Sequence, residues 1–346
     1  MNYLIIGAGA IGTYLGASLI HAGCRVTIAE REDVAEVIAR DGLQLELLDG
    51  ILLKKFPEIE VNIQAGLQKN PDVVIFAMKS FDTADAASQL QDHQHQFRVA
   101  LCLQNGVENE GVIARFIGKD KVATGSITSA VERTGSGQAR LEKLRGIGIG
   151  SDHSLAGEIY RDFQAAGLKP KLIKDTGAMK WTKMLSNLLG NATAAILDMT
   201  PGKVFAHPVG YEIERGQMSE AVAVMRHLGI KVINLPGTPM LWLVWLMLSM
   251  PVWLSRPLLA KAMGSGRGNK MPSFHIDLHA GRSRLESGYL NGAIVRYGKQ
   301  SGVETPVNVI LVQLLEEMIG NNKLQEVYRS KPEKLMSTIK EITQIQ

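Results

Sequence analysis

Lys183, Asn187 and Asn191 recur every fourth residue in the stretch KWTKMLSNLLGN, Lys180–Asn191. On a helix turning about 100° per residue, their side chains fall within an arc of about 80°. Trp181, Leu185, Leu188, Ala192 and Ile196 take the opposite side. Amphipathicity alone gives a solvated polar face equal weight. Composition tilts the balance, because Asn and Gly are poor helix formers and an exposed face would more often carry Glu, Lys or Gln. An ammonium beside two amides suits the reduction of a carbonyl. Hydride arriving at a keto carbon leaves an alkoxide, which needs a proton and a nearby positive charge. Lysine supplies both, and amides can orient carboxylate and hydroxyl groups without adding charge.

A hydride donor is expected from the other end of the chain. Gly7, Ala8, Gly9, Ala10, Ile11 and Gly12 form a GxGxxG hexamer between an apolar strand at Tyr3–Ile6 and a helix at Ile11–Ala22, with a second strand at Arg25–Ala29. In that context each glycine has its own role. Gly7 permits the tight turn, Gly9 lets a pyrophosphate approach closely, and Gly12 lets the helix pack on the strand. The diphosphate of a dinucleotide then sits at the helix N-terminus, among free N–H groups. Glu30 stands where an acid would take the ribose 2′-hydroxyl of NAD, and Arg31 where a cation would pair with the 2′-phosphate of NADP. Charge alone leaves that choice open. Lys79 and Asn105 each lie just past a predicted strand, the end at which open α/β sheets bind ligands; solvated loop residues are the alternative. From position alone, Ser273 and Glu286 read as ordinary surface residues.

The elements that would position these groups change character midway. Strands are predicted at Tyr3–Ile6, Arg25–Ala29, Val73–Ala77, Val99–Leu103 and Lys121–Gly125, separated by helical patterns, which describes a parallel sheet covered on both faces. Glycines at 135, 137, 146, 148 and 150 suggest antiparallel hairpin strands that finish the sheet. From about Asp175, long amphipathic patterns take over: Met179–Asp198, Tyr211–Leu228, Phe274–Gly281 into Tyr289–Ser301, and Asn308–Asn321. The fold class expected is α/β, with an N-terminal Rossmann-type dinucleotide-binding domain at 1–175 and an all-helical substrate and dimerisation domain at 176–346.

Bulk properties agree. A chain of 346 residues suits two domains, and 45% apolar with 21% charged residues is ordinary for a globular protein. A net charge of +4, spread along the chain, does not indicate nucleic acid. Cys24 and Cys102 sit in apolar stretches and read as reduced core residues of a cytoplasmic protein. The first residues carry no export signal, and no metal site is expected. One segment stands out: Val232–Ser255 has no charged residue, and Met240–Leu254 is almost wholly apolar. It is too short and too proline-flanked for a membrane span of about 20 residues. A buried, dimer-forming or cleft-covering helix is expected, without membrane contact, and a homodimer is one consequence.

Together these residues resemble the ketopantoate reductase (2-dehydropantoate 2-reductase) family along nearly the whole chain. The matching pieces are GAGAIG at Gly7–Gly12, MKS at Met78–Ser80, LQNGVENE at Leu103–Glu110, KWTKMLSNLLGN at Lys180–Asn191 and the stretch Pro272–Asn308. The resemblance implies NADPH-dependent reduction of 2-dehydropantoate to (R)-pantoate, a step toward pantothenate and coenzyme A. It implies Lys183 as proton donor and Asn187, Asn191 and Ser273 as substrate ligands. It further implies Arg31, Lys79, Asn105 and the backbone near Ala130 as cofactor contacts, and Glu286 near the reacting end of the cofactor. The sequence departs from the pattern at Glu30, which keeps NAD open beside NADP, and at Pro201, where some members have a substrate asparagine. It departs again in one residue inserted between Arg282 and Glu286, and in the apolar insertion before Lys270. A related enzyme for another 2-keto or 2-hydroxy acid is therefore an alternative. So is a non-catalytic dinucleotide sensor, against which the retention of Lys183 argues.

Overall fold

The computed structural model describes residues 1–267 and 270–343. It divides into two compact units. The first comprises Met1–Lys180 with Leu235–Thr238, and the second Trp181–Asn234 with Pro239–Gln346. The last three residues of the helical domain expected from the sequence, 344–346, lie outside the described residues.

The first unit is built on twelve strands: β1 (Asn2–Ile6), β2 (Arg25–Ala29), β3 (Leu43–Glu46), β4 (Leu52–Lys55), β5 (Glu58–Glu60), β6 (Val73–Phe76), β7 (Val99–Cys102), β8 (Val122–Ile127), β9 (Ala130–Gly135), β10 (Gln138–Lys143), β11 (Ile147–Gly150) and β12 (Pro170–Ile173). Eight of them form the main sheet in the order β12-β11-β8-β7-β6-β1-β2-β5. Every neighbouring pair is parallel except β11 against β8. The central strands β6 and β7, VVIF and VALC, are fully buried. A parallel sheet covered on both faces asks for such uninterrupted apolar runs. Alternation along β1 feeds two cores: Tyr3 and Ile5 join the one that includes Leu15, Ile28 and Ile149. Leu4 and Ile6 join the other, with Val74, Phe76 and Cys102.

The five strands predicted from the sequence are present. The expectation that the later hairpin finishes the main sheet is corrected: β9 and β10 pair with each other and join a separate four-stranded sheet in the order β4-β3-β10-β9. Only β11 continues the main sheet, antiparallel to β8, and β12 follows it. The reason is that Leu45, Ala139 and Leu141 are buried under the first helix, Ala10–His21, so β3 and β10 have a covered face of their own. The cysteines are both free, but only Cys102 is a core residue, since Cys24 is half-buried.

In the second unit every regular element among the described residues is helical. Pro201, Pro208 and Pro306 open three of the helices at the first turn, where a missing N–H costs nothing. The single helix expected over Met179–Asp198 is corrected to two, Thr176–Leu188 and Ala192–Leu197. Gly190 breaks them with φ +58°, a left-handed conformation open to glycine without cost. A side chain there would also meet Pro201 Cβ at 2.8 Å. The apolar insertion is likewise two helices, Met240–Ser249 and Val252–Arg267, parted at Met250–Pro251. Val244, Leu246 and Met247 are buried, whereas Trp242, Trp245 and Trp253 are half or more exposed, so of the expected alternatives a helix buried within this chain holds for only part of the segment. No described helix is long and apolar enough to cross a membrane.

Candidate active site

In the first unit the glycine turn has the geometry its spacing requires. Gly7 has φ +93°. A Cβ on Gly12 would lie 1.8 Å from the Gly7 carbonyl oxygen, whereas a Cβ on Gly9 would meet nothing within 4 Å. Gly9 is the N-cap of the helix Ala10–His21, and no side chain caps it. The first N–H groups of that helix are therefore left for an anion, with the favourable end of the dipole behind them. A dinucleotide's pyrophosphate fits this cradle.

Glu30 follows β2 and turns back on the cradle. Its carboxylate accepts the Ala8 N–H at 2.7 Å and the Arg31 N–H at 3.0 Å, with the Arg31 guanidinium 3.8 Å away. Both oxygens are thus engaged by protein donors, and the Glu30 side chain is only 15% exposed while that of Arg31 is 75% exposed. Of the two side chains, that of Arg31 is the one open to solvent.

Lys79 and Asn105 follow β6 and β7, and a polar network ties their loops together. Gln104 donates to the carbonyls of Met78 and Lys79 and to the Thr83 hydroxyl, at 3.1, 3.4 and 2.8 Å. Asn109 donates to the Asn105 carbonyl at 2.6 Å and to the Ser80 hydroxyl at 3.2 Å, and that hydroxyl donates to the same carbonyl at 3.1 Å. Ala130 opens β9. The turn before it is fixed by Ser129, whose hydroxyl accepts the N–H groups of Arg145 and Gly146 at 3.1 and 3.0 Å.

Sequence reasoning missed Lys180. It is 5% exposed, lies 2.8 Å from Glu110 and donates to the Gln104 carbonyl at 2.5 Å. Burial pulls its pKa down, but the Glu110 charge, the neighbouring Cys102 and the hydrogen bond to Glu110 together outweigh this and the net shift is upward. Burial also pushes the neighbouring Cys102 thiol up. The signal was present: at about 100° per residue Lys180 falls in the same arc as Asn187 and Asn191, two turns ahead of Asn187.

In the second unit Lys183 and Asn187 are half-buried on one helix, one turn apart. Asn191 does not continue that face, because it sits in the break as N-cap of the next helix. There its side chain meets Ser273: Nδ2 lies 3.5 Å from the Ser273 hydroxyl, and Oδ1 accepts the Phe274 N–H at 3.2 Å. The break is anchored from behind, with Glu214 accepting the Gly190 N–H at 2.8 Å and Gln217 donating to the Leu188 carbonyl at 3.4 Å. Gln217 is joined through Asn291 and Asn308 to Glu220, all within hydrogen-bonding distance. Ser273 is exposed, as its position suggested. Glu286 is 7% exposed at the head of the turn Glu286–Tyr289, so the surface reading of that residue is corrected.

Known proteins share this architecture. Residues 3–153 match the family model described as ketopantoate reductase PanE/ApbA, and residues 175–318 match its C-terminal counterpart. The 2-dehydropantoate 2-reductase of Pyrococcus horikoshii is 27% identical over 93% of this chain and 100% of its own. That of Halobacterium salinarum is 25% identical over 91% of this chain and 98% of its own. A PanE/ApbA family ketopantoate reductase from Ralstonia eutropha superposes with a TM-score of 0.78 at 26% identity, covering 94% of this chain and 100% of that one. D-mandelate dehydrogenase, solved with NADH and anilino(oxo)acetate, has the same fold at a TM-score of 0.75 and 21% identity, covering 94% and 99%.

Proposed function

The chain belongs to the ketopantoate reductase family, and from that premise we propose that it reduces 2-dehydropantoate to (R)-pantoate with NADPH. The observation that carries the reading is one ammonium, Lys183, on the same unit as three neutral polar groups, Asn187, Asn191 and Ser273, two of which are in mutual contact. When bound, the reduced nicotinamide supplies the hydride. Lys183 stabilises the oxygen that gains negative charge and gives it a proton. Asn187, Asn191 and Ser273 orient the acid's carboxylate and hydroxyl groups, and Glu286 is the second ionisable group of the reading. Gly7, Ala8, Gly9, Ala10, Ile11 and Gly12 hold the pyrophosphate, Arg31 the 2′-phosphate, and Lys79, Asn105 and the Ala130 backbone the remainder of the cofactor. The engagement of Glu30 by the Ala8 and Arg31 N–H groups supports NADPH over NADH, because its charge is answered before a phosphate arrives. The reading includes a cytoplasmic homodimer: two free cysteines fit a reducing compartment, and Trp242, Trp245 and Trp253 each expose apolar surface.

Steady-state reduction of 2-dehydropantoate, run with NADPH and NADH in parallel, tests the proposal. Turnover with a higher kcat/KM for NADPH is expected; none with either cofactor refutes it. Pro201 favours a second reading, reduction of a different 2-keto acid. Its ring packs against Gly190, beside the Asn191 break, where some family members have a further amide for the substrate. A panel of 2-keto acids differing in branching separates the two by their kcat/KM ratios.

A further inference from the structure

We infer that Asp198, His275 and His279 form a binding site for one divalent transition-metal ion of the zinc class, distinct from the residues assigned to the reduction. The helices Ala192–Leu197 and Ser273–His279 lie side by side, in contact at both ends. At their starts Asn191 meets Ser273; Asp198, which closes the first helix, meets His275 in the first turn of the second and lies near His279 at its end. His275 and His279 are four residues apart, so one helix turn brings both imidazoles to the same face. Their ring centroids are 4.0 Å apart. The Asp198 carboxylate Oδ1 lies 2.7 Å from His275 Nε2 and 4.0 Å from His279 Nε2, and the three ligand atoms all fall within 4.8 Å of one another.

Two imidazoles and a carboxylate are a donor set that suits zinc. With bonds of about 2.0–2.1 Å in a tetrahedron, ligand atoms sit about 3.3 Å apart. The two Asp198 contacts, 2.7 and 4.0 Å, straddle that value, and the widest spacing in the set, 4.8 Å, would have to close by about 1.5 Å as the side chains gather on the ion. The ion takes the place of the proton between His275 and Asp198.

The surroundings hold the carboxylate in place. Arg329 Nε binds Oδ2 at 3.0 Å, which leaves Oδ1 directed at the histidines, and Glu326 pairs with the same guanidinium at 2.9 Å and offsets its charge. Asp198 itself closes its helix with φ +49°, a left-handed conformation usually given to Gly or Asn. Beside the cluster opens a cavity of about 560 Å³, lined by Asp198, His279, Glu326 and Arg329 among others. The fourth coordination position therefore faces space that a water or a small anion can enter, as in sites that keep an exchangeable ligand.

Calorimetric titration of the full chain, stripped with chelator and then given zinc chloride, tests the site. One equivalent is expected to bind. His275→Ala/His279→Ala is expected to raise Kd at least ~100-fold. Asp198→Asn, which suits the left-handed backbone and removes only the charge, is expected to raise it ~10-fold or more with the fold unchanged by circular dichroism. Cobalt(II) in place of zinc should give the visible absorption of a tetrahedral site in the parent and not in the double variant. Absence of stoichiometric binding, or equal binding by Asp198→Asn, overturns the inference.

Discussion

Removing the ammonium at position 183 is the sharpest test at the scale of single residues. Lys183→Ala should lower kcat by about 100-fold or more, the usual contribution of a positioned proton donor. NADPH affinity, read by nucleotide fluorescence, should stay within about threefold, because the residue acts on the substrate oxygen. Loss of both together would assign Lys183 to cofactor binding instead. Arg31→Ala should raise the KM for NADPH about 10-fold or more, as expected for one charged hydrogen bond, and that for NADH far less. Equal losses would remove the 2′-phosphate contact. Lys180 belongs to a different class. Lys180→Met strands the Glu110 carboxylate in the interior and should cost about 3 kcal/mol in urea unfolding; adding Glu110→Gln should restore most of it. Because the folded pKa of Lys180 is raised, the pair's stabilisation is complete below the ordinary lysine value. It is lost as pH climbs through the folded one.

At the scale of elements, two glycines of the same turn, Gly9 and Gly12, make opposite predictions. Gly12→Ala forces a methyl onto the Gly7 carbonyl and should destabilise the first unit by about 3 kcal/mol or more, measured by thermal melting. Gly9→Ala points its methyl into open space, so the fold should hold within about 0.5 kcal/mol while NADPH binding weakens. A Gly9→Ala protein that binds NADPH normally would take the pyrophosphate off this turn. That turn was readable because glycine is required by backbone geometry, which spacing records directly. Strands β1, β2, β6, β7 and β8 were readable because burial on both faces demands β-branched runs. LQLE, LLKK and EIE, which became β3, β4 and β5, were not: they are three or four residues long and half-exposed. The break at Gly190 hides inside a helical period, since Asn187 and Asn191 keep their spacing whether or not the helix continues. Lys180 was hidden by its type, as a lysine is read as solvent-facing until its half-buried partner Glu110, far away in the chain, is known.

At the scale of the whole molecule, all four tryptophans, Trp181, Trp242, Trp245 and Trp253, belong to the second unit, while all twelve strands among the described residues belong to the first. Indole emission and strand circular dichroism therefore report on different halves. NADPH at about 100 times its Kd should stabilise the half that binds it by about 2.7 kcal/mol. In urea its addition should move the strand signal further than the indole signal. Coincident shifts of both would make the chain one cooperative unit. The second sheet has a consequence for synthesis. Strands β3 and β4 leave the ribosome early, but β10, which must pair with β3, begins about 80 residues later. At translation rates of roughly 5–20 residues per second, the nascent chain carries an open strand edge backed by Leu43 and Leu45 for about 4–16 s. Truncated products that stop short of β10 should be sticky, and the growing chain is a natural client for whatever chaperone waits at the exit tunnel.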